Sequence, residues 1–575
     1  MSLHSTPELI SSAIADDVSA ETPAVDVVSR SHQIYPVLTA AEIARLRRFG
    51  SVQRWGNGEL IFEACRSSPG MVVVLKGRIV CTRSDGLGNR VTVAEFGPGQ
   101  FSGEVAQLSG RPPLINGNAR GDLEALVIAP EALRALVIAE AELGERIMRA
   151  LILRRVRLLD NNPAGPILIG PIANAALFDL QSFLSSNAQP YTVREPHGDA
   201  ETARLVSLHA PAATDWPLVV CPDGSIRKNP TQAELGRCLG MLPELDDRVV
   251  FDVLIVGAGP AGMAAAVYAA SEGLSVLMLE QRAFGGQAGT SARIENYLGF
   301  PTGITGRALA GRAYVQALKF GTEIAIPAPA ARLLCDAGAG PLTVSLGDGS
   351  QARARTIVLA SGARYRRPEL ANLEQYEGRG VYYWASSAEA RICRNEEVIL
   401  VGGGNSAGQA AVFLSGHASK VHMIIRGAGL AATMSNYLIE RIAASPNIVL
   451  HPHHSIDGID GDEQGITQVR CVNRTHGGGR PHQIFNLRRV FLFIGAEPNT
   501  GWLRDCAIAL DEQGFIRTGN HVDAAPRAPL ETSVPGVFAI GDVRANSIKR
   551  VAAAVGEGAT VVAQIHAHLE QLDAG

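Results

Sequence analysis

The chain has 575 residues, with 52 lysines and arginines against 56 acidic residues and a net charge of -4. At about 150 residues per domain this length excludes a single small domain, and the charge balance offers no positive field to nucleic acid or to an anionic membrane surface. Hydrophobic residues make 46% and charged residues 19%, so the chain can bury cores, while 61 glycines are an excess that accompanies tight turns where backbone approaches phosphates.

The first 34 residues read as a flexible segment. They carry acids where a secretory signal needs bases, and no apolar run follows, so a cytoplasmic location is expected. From 35 to 160 short apolar runs alternate with turn signals: Glu59 to Phe62, Met71 to Leu75 before Lys76-Gly77, Ile79 to Thr82 before Asp85-Gly86, and Val91 to Phe96 before Gly97. This is a small β-roll, and an amphipathic helical stretch from Pro130 to Leu159 follows it.

A second unit, 165–245, opens with a strand Ile167 to Ile169 and a helix near Asn174 to Leu184. It continues with an extended Trp216 to Val220 before Asp223-Gly224. From 250 onward strands and helices alternate. Val253 to Ala270 is uncharged and long enough to cross a membrane, but Gly257, Gly259, Pro260 and Gly262 interrupt it, so it reads as strand, turn and helix and no membrane span is expected. Eight cysteines lie far apart with no C-x-x-C pair. That pattern excludes a zinc ribbon and a local dithiol, suits a reducing compartment and predicts no metal site.

Two segments carry nucleotide chemistry. The apolar strand Val253 to Val256 runs into Gly257-Ala258-Gly259-Pro260-Ala261-Gly262 and an alanine-rich helix. Its glycines allow a tight turn and bring a pyrophosphate to the helix N-terminus, whose free N–H groups favour anions. The next strand, Ser275 to Leu279, ends in Glu280, at about the twenty-residue spacing where a carboxylate meets an adenosine ribose. The pattern recurs at Val398 to Val401, Gly402-Gly403-Gly404-Asn405-Ser406-Ala407, and a strand Val421 to Ile425 followed by Arg426. An arginine there can pair with a 2′-phosphate, which favours NADPH over NADH.

From about Val250 onward the chain resembles low-molecular-weight thioredoxin reductases. The resemblance rests on GAGPAG, Gly285-Gly286-Gln287, Ile294 to Tyr297, Ala360-Ser361-Gly362-Ala363, GGGNSA and Gly536 to Asp542. It implies an α/β flavoprotein of two Rossmann-like dinucleotide-binding domains, with FAD on 250–380 plus 496–575, NAD(P)H on 381–495, and a homodimer. The FAD contacts it implies are Gly257, Gly259, Pro260, Ala261, Gly262, Glu280, Gly286, Gln287, Asn296, Gly362, Asp542, Lys549, Arg550 and Val551. The NAD(P)H contacts are Gly402, Gly404, Asn405, Ser406, Ala407 and Arg426.

Departures from that family matter equally. Trp384 and Ser387 occupy the slots of its redox dithiol, and neither side chain can make or break a disulfide. Of three basic groups expected at the 2′-phosphate only Arg426 remains, with Gly427 and Ala431 at the others. Cys393 reads either as a lone thiol near the flavin or as a small buried residue, the second being the commoner fate of a solitary cysteine.

The roll resembles cyclic-nucleotide-binding domains through Phe101 to Leu108, but Pro113 stands in the slot of the phosphate-binding arginine. A standard cyclic nucleotide is therefore disfavoured, Arg111 or Arg120 would have to substitute, and a role as a dimerisation or docking surface is expected instead. The middle unit resembles a thioredoxin or glutaredoxin fold with Trp216-Pro217 at its cis-proline, although Gly170-Pro171-Ile172-Ala173 holds no thiol where the dithiol belongs. The expected activity is hydride transfer from NAD(P)H to FAD and on to a partner protein or small acceptor. Thioredoxin-disulfide reduction proper and a non-catalytic redox sensor are the alternatives.

Overall fold

The computed structural model describes residues 31–84, 90–161, 165–172, 174–243, 245–291, 293–334, 340–385, 387–462, 465–475, 482–522 and 527–574. The N-terminal segment up to residue 30, the turn at Asp85-Gly86 and Ala173 lie outside them.

The roll is a five-stranded antiparallel sheet built on two long strands, Met71–Ser84 and Asn116–Ile128. The expected turn at Lys76-Gly77 is instead an irregularity inside the first of these, where the register against the partner strand shifts on either side of Lys76. Gly77, at φ +82°, absorbs the extra residue, as bulges commonly require. The helical stretch also divides, into Pro130–Ala139 and Ala141–Asn161. Glu140 breaks it by leaving helical geometry, and its buried carboxylate is gripped by Arg45 and Arg48.

The middle unit runs β-α-β-α-β-β-α. Strand Ile167–Ile169 pairs in parallel with Thr192–Arg194 and antiparallel with Leu218–Val220, which in turn pairs antiparallel with Ile226–Lys228. Its helices start where polar caps satisfy free backbone N–H groups: Asn174 accepts from Leu177, Asp199 from Thr202, and Thr231 forms a capping box with Glu234. The Trp216–Pro217 bond is cis.

Val250–Val256 is central to a seven-stranded sheet, in parallel with Val276–Leu279 on one side and Gln351–Leu359 on the other. Val537–Ala539 returns from the end of the chain to extend the parallel part, so this domain is assembled from two separated stretches of sequence. Inserted between them, a five-stranded all-parallel sheet holds Glu397–Val401 beside Lys420–Ile424. Continuous apolar runs of this kind are what a sheet covered on both faces needs. A single buried core extends from the roll (Leu126) through the middle unit (Leu168, Phe183) into the first dinucleotide sheet (Val253, Phe538), so the three units pack as one body.

Candidate dinucleotide sites

Both glycine-rich turns leave a strand and enter a helix, Pro260–Ser271 and Asn405–Ser415. At Gly257, φ is +110° and a Cβ would sit 2.3 Å from the carbonyl oxygen of Ala360; at Gly402, φ is +143° and a Cβ would sit 2.3 Å from that of Phe493. No side chain fits either position, so bare backbone lines both turns and the helix N-termini stay open.

Thirteen of the fourteen expected FAD residues line one cavity of about 760 Å³; Gly262 does not, being buried in the first turn of its helix, where a Cβ would strike the carbonyl of Gly257 in the preceding turn. Glu280 reaches the turn from the adjacent strand end, accepting hydrogen bonds from Ala258 N (2.8 Å) and Arg282 N (2.9 Å), and burial pushes its carboxyl above the usual range. Gln287 is fixed by a bond from its amide to the carbonyl of Ala363. The Gly541-Asp542 turn is held from behind: Glu557, on the last helix Val551–Ala574, accepts from Gly541 N at 2.6 Å and pairs with Arg544. Motif reading missed Glu557 and Arg544, since their contribution exists only once that helix packs against the turn. Lys549 donates to the carbonyl of Asp542 at 2.7 Å, and burial raises the Asp542 carboxyl although Lys549 opposes the shift.

The same cavity reaches the second domain, where Asn405, Ser406, Gln409 and Phe413 line it. Arg441, from helix Asn436–Ala443, pairs with Glu295 of the first domain at the cavity wall. Gly402, Gly404, Ala407 and Arg426 lie outside it, and Arg426 is exposed beyond the end of Lys420–Ile424.

Trp384 lines the cavity, with its indole N–H donating to Glu389 at 3.1 Å. Ser387 begins the helix Ser387–Ile392. Cys393 is fully buried in the core of the second domain, away from the cavity, and burial pushes its thiol up to about 12. The structure therefore corrects the lone-thiol option and leaves the small buried residue.

In the roll, neither candidate substitute arginine replaces the missing one. Arg120 pairs with Glu95 on the sheet surface. Arg111 crosses to the first dinucleotide domain, donating to the carbonyl of Ile324 at 2.7 Å and lying 5.7 Å above the ring of Tyr314, which stacks on Phe284 beside Gly285. The cassette turn Val105–Ser109 packs on the same domain's helix Gly306–Lys319.

The middle unit supplies one further correction. Cys221 and Cys238 form a disulfide across a sequence separation of 17, and Cys506 is also disulfide-bonded, so cysteine spacing no longer argues for a reducing compartment. Among the described residues no cluster of ligands for a metal occurs, and no helix is long and apolar enough to cross a membrane.

Comparison with known proteins adds family and domain. A family model described as pyridine nucleotide-disulphide oxidoreductase matches residues 251–558, and one described as cyclic nucleotide-binding domain matches 52–140. A thioredoxin reductase of Listeria innocua is 33% identical over 323 residues, covering 56% of this chain and 95% of its own length. A thioredoxin reductase of Escherichia coli O157:H7 is 33% identical over 325 residues, covering 56% of this chain and 96% of its own length. The crystal structure of Lactococcus lactis thioredoxin reductase in its FR conformation superposes with a TM-score of 0.51 at 28% identity, covering 56% of this chain and 99% of its own.

Proposed function

The chain belongs to the pyridine nucleotide-disulphide oxidoreductase family, and from that premise we propose that it oxidises NADPH through FAD and delivers electrons directly from the flavin to an acceptor outside the chain. The cofactors are FAD and NADPH, as in the thioredoxin reductase-like family. One observation carries the reading: a single cavity is lined by residues of both glycine-rich segments, so two nucleotides can meet in it. The bare turn at Gly257 and the half-buried acids Glu280 and Asp542 fit a flavin dinucleotide. FAD, when bound, supplies the two-electron carrier that accepts a hydride from the nicotinamide.

This chain's own residues bind and orient. The Gly257 turn and the N-terminus of Pro260–Ser271 hold the pyrophosphate, and Glu280 holds the ribose end. Asp542, kept in place by Glu557 and Lys549, meets the flavin side chain. The start of helix Val551–Ala574 lines the cavity and would present its positive end to the flavin ring, which would favour negative charge there. Asn405 and Ser406 orient the second nucleotide, and Arg426 grips its 2′-phosphate. Trp384, in the cavity where the family's dithiol slot falls, offers no sulfur and closes the internal route to a thioredoxin-type acceptor.

The roll serves as a docking domain that spends its cassette on the flavoprotein, and 165–245 is a thioredoxin-like unit without its usual dithiol. A homodimer is the proposed assembly, and a quinone, dioxygen or a one-electron carrier is the proposed class of acceptor. The test is anaerobic mixing of the purified flavoprotein with NADPH and with NADH. Bleaching of the flavin band, faster with NADPH, is expected; protein without flavin even after added FAD, or flavin that neither nucleotide bleaches, refutes the proposal.

A further inference from the structure

Three cysteines from two units meet at one point. Cys221 follows strand Leu218–Val220, and Cys238 closes helix Gln232–Cys238, to which the disulfide ties it. Cys65 belongs to the roll. Its thiol donates to the carbonyl of Cys238 at 3.0 Å, and its own N–H donates to the carbonyl of Pro113 at 2.9 Å. It holds φ at +60°, a left-handed conformation that a residue other than glycine keeps only where neighbours impose it.

The same helix end also touches the first dinucleotide domain. Arg237 pairs with Asp348 at 3.0 Å, and Ile326 N donates to the carbonyl of Met241 at 3.2 Å. The disulfide thus stands where roll, middle unit and flavoprotein meet. It is also remote from the cis-proline pole of the middle unit. Strand Leu218–Val220 begins at Pro217 and runs antiparallel to Ile167–Ile169, so Cys221 lies beyond Val220 and Ile167, at the opposite end from Gly170.

We infer that Cys221–Cys238, with the Cys65 thiol against it, is a thiol–disulfide exchange site through which a dithiol, either a small molecule or a dithiol protein, loosens the roll from the middle unit. The step balances. A thiolate of the dithiol attacks Sγ of Cys238, the half-buried partner; the Cys221–Cys238 bond breaks, a mixed disulfide forms, and Cys221 leaves as a thiolate that takes a proton. The second thiol of the reductant then attacks the mixed disulfide, releasing Cys238 as a thiol and leaving the reductant as a disulfide. Two electrons pass to the protein, and a disulfide of the same class reverses the reaction.

Reduction frees the helix end that carries the carbonyl acceptor of Cys65. Burial now pushes the Cys65 thiol up to about 12. Once the contact opens, its value falls toward that of an ordinary thiol and its thiolate fraction rises. The readout is therefore the alkylation rate of Cys65, followed by peptide mass spectrometry on the full chain under native conditions.

Separate aliquots are alkylated under denaturing conditions to count free Cys221 and Cys238. In untreated protein both should be protected and Cys65 slow. After dithiothreitol, or after a reduced dithiol protein, both should be free and Cys65 should react on the order of tenfold faster or more. Cys238→Ser should show the fast Cys65 rate without reductant, and Cys506→Ser should not, which separates this disulfide from the one at Cys506. Free Cys221 and Cys238 in untreated protein, a disulfide that resists dithiols in the folded chain, or an unchanged Cys65 rate after complete reduction each overturns the inference. If Cys238→Ser fails to fold, the reduced wild type, checked for retained circular dichroism, decides alone. None of these readings depends on flavin chemistry.

Discussion

The two glycine-rich turns are near copies in backbone and opposites in what stands next to them. Gly257 and Gly402 each face a neighbouring carbonyl with room for hydrogen only, so both turns are equally bare. The strand beside the first ends in Glu280, a half-buried carboxylate bonded to two backbone N–H groups, which ties the turn to the strand end. The strand beside the second leads to Arg426, exposed, whose contribution to binding depends on the nucleotide that arrives. Under the proposed reading the pyrophosphate cradle would be the common part, and the choice of nucleotide would rest on Arg426 at the strand end.

Breaking the cradles should separate the two nucleotides completely. Gly257→Val drives a side chain into the carbonyl of Ala360, so the purified protein should lack the flavin absorption band. Gly402→Val should keep that band and lose NADPH reduction by about a hundredfold or more in stopped-flow measurements. Loss of flavin in both variants would mean that the domains do not divide the work as stated. Next in size, Arg426→Ala should raise KM for NADPH roughly 10- to 100-fold and leave NADH nearly unchanged, because charge-assisted hydrogen bonds to the 2′-phosphate are worth about 1.5–3 kcal/mol. Equal losses for the two nucleotides would remove Arg426 from the phosphate site.

Acid should act on the second domain, because it carries a histidine cluster. His422 bonds His451 at 3.0 Å and Glu397 at 3.0 Å. Burial, with His422 and His454 beside it, lowers His451 from 6.5 to about 4. Between those two values the unfolded chain takes up a proton that folded His451 refuses, so stability falls as pH drops through that window. His451→Gln should flatten this slope in thermal melts stepped through the window, and an unchanged slope would assign the acid sensitivity elsewhere. The smallest effect is expected at Trp384→Phe, which removes the bond to Glu389 but keeps an aromatic ring at the cavity. Flavin reduction by NADPH should change by less than about fivefold, since a single part-buried hydrogen bond contributes roughly 1 kcal/mol or less.

Local requirements were legible in the sequence and long-range ones were not. The Gly257 and Gly402 turns could be read because the need for glycine sits within the turn itself, and the strands before and after them fall within a few residues of expectation. The cis bond at Pro217 was legible in another way, through the resemblance of the middle unit to a thioredoxin fold and not through local chemistry, since most X-Pro bonds are trans. Lys76-Gly77 misled because a glycine after a lysine looks the same in a turn and in a bulge; only pairing with Asn116–Ile128 distinguishes them. Arg111 reads in the sequence only as a stand-in for the missing phosphate-binding arginine of a roll in which a nucleotide is disfavoured, and its actual partners, Ile324 and Tyr314, lie some two hundred residues onward. Cys221 and Cys238 escaped because one ends a strand and the other a helix, and their meeting is a property of the folded unit. Glu557 belongs to the same class, a carboxylate on the last helix that acts only after the chain returns to its first sheet.

In the proposed reaction electrons enter at NADPH and leave the flavin without passing through a dithiol of the second domain. Anaerobic protein reduced with stoichiometric NADPH and then mixed with oxidised thioredoxin tests it directly. The bleached flavin should stay bleached on mixing and be reoxidised when a quinone or oxygen is admitted. Rapid return of the flavin band with appearance of thioredoxin thiols would contradict it.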